Sequence, residues 1–263
     1  MIIDRNGHAT LVSEIGSGPP CVLVHGLGED HRAWRRVVPV LALDRRVIMY
    51  DVRGHGGSSN GRAKGTLAQL GSDLAALLGA LDIERAPVVG FSMGGLIGAR
   101  CAIDHPDSVG ALALVSTSPI VGDGAAAWYA ERAQLGQDGA PELTSILARD
   151  TEALFRQKRD LDEGLRIRLE ATRDPRGFGN ACAALVALNK APIIDELARV
   201  DVPALVVVGA DDHHTSPEMA KALLAAVPGA EQCAVPHAGY SVPAEQGSQL
   251  ARALLRWLGG LGL

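Results

Sequence analysis

The run Gly90-Phe91-Ser92-Met93-Gly94-Gly95 constrains this chain more than any other segment. The residues before it, Ala86-Pro87-Val88-Val89, read as a short buried strand, and those after it, Leu96 to Ala102, read as a helix. A Gly-x-Ser-x-Gly turn between strand and helix holds its serine in a strained backbone conformation, with the hydroxyl projecting above the sheet. Gly90 and Gly94 lack side chains, so strand and helix can approach closely on either side of the turn. The start of the helix then offers backbone N–H groups and a positive dipole end to an oxyanion formed nearby. Ser92 is thus a candidate nucleophile, against the plainer reading of the pattern as a glycine-rich turn.

The rest of the chain supplies a setting for that turn. Cys21-Val22-Leu23-Val24 is a continuous apolar run, as expected of a strand buried on both faces. Further strands are expected at Ala9 to Ile15, Arg46 to Tyr50, Gly110 to Val115 and Ala204 to Val208, with a helix from about Thr66 to Leu81. Strands alternating with helices predict an α/β fold with a doubly wound, mostly parallel sheet. From about Gly122 to Leu197 the alternation stops, and helix-like segments follow at Ala125–Leu135, Glu142–Leu161, Glu163–Thr172 and Gly179–Asn189. Such an insertion reads as a lid over the carboxyl ends of the strands, where open α/β sheets bind ligands. At 263 residues, 47% of them hydrophobic, the chain suits one such unit.

These landmarks, in this order, resemble the α/β-hydrolase superfamily over nearly the whole chain. They are His25-Gly26, Trp34, the run Asp51-Val52-Arg53-Gly54-His55-Gly56-Gly57-Ser58, the turn at Ser92, and Gly209-Ala210-Asp211-Asp212 after a late strand. The resemblance implies a core of residues 1–121 and 198–263 and a helical lid of residues 122–197, inserted after the sixth strand. It implies an esterase or lactonase-like enzyme with Ser92 as nucleophile, the backbone N–H groups of Leu27 and Met93 as the oxyanion hole, and Asp212 as triad acid. Asp211 is left as a turn or cap residue. His25 and His55 match motif histidines that usually support loop structure. His25, Gly26, Phe91, Trp128 and Tyr129 are the expected substrate-binding residues.

One position departs from the family pattern. The last loop reads Pro236-His237-Ala238-Gly239-Tyr240, and the spacing from Gly239 to Glu245 puts Tyr240 in the slot of the catalytic histidine. A phenol has an ordinary pKa near 10, so at neutral pH it donates a proton and is a poor base. Four readings follow. His237 swings in as a displaced base; His213 or His214 supplies an imidazole from the acid loop; Tyr240 works as a proton donor in non-hydrolytic chemistry; or the tyrosine marks a lost activity, natural or engineered.

The expected substrate is a small apolar or aromatic carbonyl compound, most simply an ester or lactone. The chain has only three each of Trp, Tyr and Phe, and several fall in the lid or beside Ser92, although lid aromatics equally serve a lid's own small core. The alternatives are a lyase, isomerase or cyclase using Tyr240, and a ligand-binding pseudoenzyme. A net charge of −5 gives no case for nucleic acid or an anionic membrane surface. No metal and no organic cofactor is expected, because neither metal-ligand spacing nor a phosphate-cradling loop is present. Scattered Cys21, Cys101, Cys182 and Cys233, with no apolar leader, fit a cytoplasmic protein with reduced thiols. Oligomeric state has no sequence signature here.

Overall fold

The computed structural model describes residues 1–215 and 217–263. Eight strands form one sheet: β1 (Ile2–Arg5), β2 (His8–Ile15), β3 (Pro20–Val24), β4 (Arg46–Tyr50), β5 (Ala86–Phe91), β6 (Val109–Val115), β7 (Ala204–Gly209) and β8 (Glu231–Val235). Their spatial order is β1-β2-β4-β3-β5-β6-β7-β8, antiparallel at β1-β2 and β2-β4 and parallel from β4 onward. The helices are α1 (Val38–Leu41), α2 (Leu67–Ala80), α3 (Met93–Asp104), α4 (Asp123–Asp138), α5 (Glu142–Leu154), α6 (Leu161–Ala171), α7 (Pro175–Val186), α8 (Pro217–Ala226), α9 (Val242–Glu245) and α10 (Gly247–Gly260).

Both faces of the sheet are covered, which explains the uninterrupted apolar strands. In β3, Val22 and Val24 belong to one apolar core that also takes in residues of α2, α3 and α8, whereas Cys21 and Leu23 belong to a second that takes in residues of α1 and α10. Successive strand residues point to opposite faces, so a strand between two helical layers has no solvent side to fill with polar residues. Two edge strands escape the sequence reading. β1 is a four-residue hairpin arm with Ile2 exposed, and β8 buries only Val235 fully, so neither carries an apolar run.

The insertion between β6 and β7 holds α4 to α7, the helical segment expected of a lid. The helix expected at Glu142–Leu161 ends at Leu154, because Phe155 turns to extended backbone and Asp160 is drawn inward to Arg36 at 2.5 Å. α7 begins at Pro175, earlier than expected, with the Asp174 side chain accepting from Arg176 N. The short 3-10 segment Ile193–Arg199 packs on α3 and α8 rather than on the lid, with Ile193 and Leu197 in the main core. All four cysteines are unpaired, and three are buried. Among the described residues no helix is long and apolar enough to cross a membrane.

Candidate active site

Ser92 closes β5 and opens α3 with φ +52° and ψ −116°, a conformation costly for a residue with a side chain. Its N–H donates to Val115 O at 2.8 Å, which ties the turn to β6. The flanking glycines are obligatory: a Cβ on Gly90 would lie 2.2 Å from Gly94 O, and one on Gly94 would lie 2.1 Å from Val24 O. Ser92 faces a cavity of about 500 Å³ between the sheet and the lid. Met93, Tyr240 and His214 line it with Ser92, and Trp128 and Tyr129 contribute from α4.

The loop after β3 explains the motif histidines. His25 Nδ1 donates to Gly26 O at 2.8 Å, and its Nε2 accepts from Val52 N at 2.8 Å. In a trans peptide the N–H points opposite to the C=O, so a carbonyl drawn toward His25 turns the Leu27 N–H the other way. His55 works one residue further on, with Nδ1 bound to Arg53 O and Nε2 accepting from Gly28 N at 3.2 Å. Among the described residues, no acceptor takes the N–H of Leu27 or of Met93. Three residues expected to bind substrate lie instead in the packing beneath the site. His25 is fully buried with both ring nitrogens engaged by backbone, Gly26 sits against the Phe91 ring and Glu29, and Phe91 packs under Tyr240 with ring centroids 5.3 Å apart. None of the three lines the cavity.

Both histidines are held neutral. Burial lowers their pKa, in His55 from 6.5 to about 3. An imidazole depressed in the folded state contributes stability that is present above its unfolded pKa and lost as pH falls toward its folded value. Stability is therefore expected to decline between about pH 6.5 and 3, with a slope approaching about 1.4 kcal/mol per pH unit from His55, and His25 acts in the same direction. Denaturant unfolding measured across that range checks it. His55→Gln, which keeps an acceptor for Gly28 N–H, should flatten the slope; an unchanged slope would show that His55 does not carry it.

Tyr240 occupies the end of the last loop. Glu245, almost fully buried, accepts from Gly239 N at 2.8 Å and from the lid's Arg156 N at 2.9 Å, which fixes the register of the residue between. The Tyr240 hydroxyl donates to Ser92 Oγ. Burial raises the phenol's pKa well above its usual value, and the nearby Tyr129, Glu29 and Asp212 raise it further. Tyr240 is therefore a neutral donor at physiological pH.

Asp212 sits beside this pair with its two oxygens in different states. Oδ1 accepts from His214 N at 2.8 Å and Thr215 N at 3.0 Å, so the turn-capping work expected of Asp211 falls to Asp212. Oδ2 is buried without a hydrogen bond, an acceptor left open on the residue expected to be the triad acid. Asp211 pairs with Arg156 at 3.3 Å instead. His237 is exposed with φ +58°, and no hydrogen bond joins its ring to Ser92 or Asp212; its carbonyl accepts from Gln157 and Gln246. His214 reaches the site without pairing with Asp212's carboxylate through its ring. Its Nε2 donates to Ala153 O of α5 at 2.7 Å, and its ring meets the Tyr240 ring at 5.4 Å.

Sequence reading missed Glu29 and Arg168. Glu29 Oε2 accepts from Gly26 N at 3.1 Å, and burial raises its pKa to about 7. Arg168 comes from the lid, over a hundred positions away, so no local pattern links it to the loop it touches. One further cluster, Asp30, His31 and Asp51, gathers possible metal donors within 4.8 Å. Its atoms are already committed: Arg32 lies against Asp30 at 2.6 Å, and Asp51 accepts from His31 Nδ1 at 2.7 Å and Gly57 N at 2.8 Å.

An eight-stranded sheet with a helical insertion after its sixth strand and a strained serine at the β5–α3 turn defines a class. Residues 19–243 match the alpha/beta hydrolase fold family, and the chain belongs to it. Among relatives, it is 32% identical over 221 residues to 3-oxoadipate enol-lactonase 1 of Acinetobacter baylyi, covering 82% of this chain and 80% of that protein. Among solved structures, the enol-lactonase from Burkholderia xenovorans LB400 superposes with a TM-score of 0.87 at 28% identity, covering 98% of this chain and 100% of the other. A thermophilic esterase from Thermogutta terrifontis shares the fold at a TM-score of 0.85 and 24% identity, covering 99% and 98%.

Proposed function

We propose that this chain is an enzyme acting on a neutral, apolar ester or lactone bound beneath the lid, with the substrate carbonyl facing Ser92. The observation that carries this reading is the strained Ser92 lining the cavity with Met93, whose backbone N–H, like that of Leu27 in the loop after β3, no acceptor takes among the described residues. Attack by Ser92 Oγ, its proton passing to water, would open the carbonyl π bond into a tetrahedral oxyanion that those N–H groups would stabilise. Its collapse would break the ester C–O bond, and the leaving oxygen would depart as an alcohol after taking a proton from water or the Tyr240 hydroxyl. The enol-lactonase relatives support the substrate class. The substrate named for the Acinetobacter relative, the enol-lactone of 3-oxoadipate, comes from a dicarboxylic acid and so retains a carboxylate. Among the described residues no lysine or arginine lines this cavity, which favours an uncharged substrate.

A specific observation favours a second reading. Tyr240 donates to Ser92 Oγ, so the serine hydroxyl is polarised as a donor to substrate rather than deprotonated. That arrangement suits proton delivery to a carbonyl or leaving oxygen in a lyase, isomerase or cyclase step without an acyl-enzyme. Intact mass after brief exposure to an activated aryl ester separates the two. An acyl adduct on the protein that is absent from Ser92→Ala is expected, with slow loss because no base assists deacylation. No adduct would remove covalent catalysis and leave the proton-donor reading.

A further inference from the structure

The loop that carries the Leu27 N–H is fixed from below by His25 and His55, and from above by a residue of the lid. Arg168 of α6 donates through Nη1 to Leu27 O at 2.8 Å. It is buried, and among the described residues no carboxylate forms an ion pair with it; the nearby Glu29 carboxyl feels its charge but is itself pushed up to about 7 by burial. A buried guanidinium without a contacting carboxylate is costly, and its Nε has no hydrogen bond at all. The loop is shaped to receive it: Gly28 has φ +72°, and a Cβ there would come within 3.2 Å of the Phe178 ring and 3.3 Å of Arg168 Nη2. Lid and loop are therefore built against each other at this point.

We propose that Arg168 is a positioning residue for the oxyanion-binding loop, holding the Leu27 peptide in place from the lid and lending it a desolvated positive charge. The proposal rests on the reading of Leu27 N–H as an oxyanion donor. It makes anion affinity at Ser92 conditional on a seated lid, since among the described residues the only side chain holding the Leu27 carbonyl arrives on α6. The Leu27 N–H lies on the preceding peptide, so Arg168 acts through the loop and does not itself touch the substrate.

The test compares two ligands of nearly equal shape, 4-nitrophenolate as an oxyanion mimic and 4-nitroanisole as its neutral counterpart. In Arg168→Met, nitrophenolate affinity is expected to fall about tenfold to a hundredfold, less than the roughly hundredfold to thousandfold effect of removing an oxyanion-hole donor itself, with nitroanisole binding unchanged. Arg168→Lys, which keeps charge and a donor, should recover part of the loss. Equal weakening of both ligands would mean that Arg168 only supports the fold, and would overturn the proposal. So would unchanged nitrophenolate binding, or no preference for nitrophenolate in the unaltered protein. Acyl transfer does not enter this measurement. A failed Ser92 adduct with the discrimination intact retires the ester reading alone, and lost discrimination with the adduct still forming retires the Arg168 proposal alone.

Discussion

Tyr240→His is expected to raise aryl-ester hydrolysis by roughly two to four orders of magnitude, the contribution of a positioned general base. Three features make the site ready for an imidazole. Tyr240 already reaches Ser92 Oγ from the correct loop position, so a histidine there starts within range of the same oxygen. The Asp212 Oδ2 atom is buried and unbonded, and an imidazole Nδ1–H would satisfy it while orienting Nε2 toward the serine. The register is fixed by Glu245 on Gly239 N, which the substitution leaves alone.

Steady-state hydrolysis of a 4-nitrophenyl ester checks this, with Tyr240→Phe alongside. Phenylalanine removes the phenolic proton but supplies no base, so it should not gain hydrolytic rate. A gain in Tyr240→Phe equal to that in Tyr240→His would show that the phenol merely obstructs Ser92. No gain in Tyr240→His would mean that the surrounding wall has been rebuilt around the phenol, and would favour the proton-donor chemistry.

The serine turn and the tyrosine were legible in the sequence because each is set by local spacing. A Gly-x-Ser-x-Gly between strand and helix is a backbone requirement, and here the missing Cβ atoms at Gly90 and Gly94 admit Gly94 O and Val24 O. The Gly239–Glu245 spacing marks a hydrogen bond that fixes Tyr240. The buried strands were equally visible, since two covered faces leave only apolar runs. What stayed hidden depends on distant contacts. His25 belongs to a motif, but that it works beneath the floor, holding Gly26 O, follows from its burial in three dimensions. Arg168 and Leu27 lie 141 positions apart, and nothing in α6 distinguishes that arginine from its exposed neighbour Arg166. The edge strands β1 and β8 were missed for the opposite reason, because partial solvation leaves their pattern ambiguous.

Asp73→Asn is expected to cost about 3–5 kcal/mol, the usual consequence of leaving one member of a buried ion pair without its partner. Arg53, from the Asp-x-Arg-Gly-His run, meets Asp73 of α2 through two parallel bonds, Nε to Oδ2 and Nη2 to Oδ1, both 2.7 Å. Their side chains are 2% and 5% exposed, so water cannot take over either charge. Arg53 also donates to the carbonyls of Asn6 and Asn60, and Asn6 Nδ2 donates to Asp73 Oδ1, so one pair ties the β1–β2 turn, the loop after β4 and α2 together. For a chain of this size the loss should lower the melting temperature by roughly 6–20 °C. Added salt should change the effect little, because buried pairs are poorly screened. The double variant Arg53→Met with Asp73→Leu should be more stable than Asp73→Asn, since it removes both charges and leaves none unpaired. A single variant that melts with the unaltered protein would show that water reaches this pair. The distinction matters for reading the motif: its arginine acts by holding the loop that carries His55, so its loss should appear first as instability and only through His55 and Gly28 as a change at Ser92.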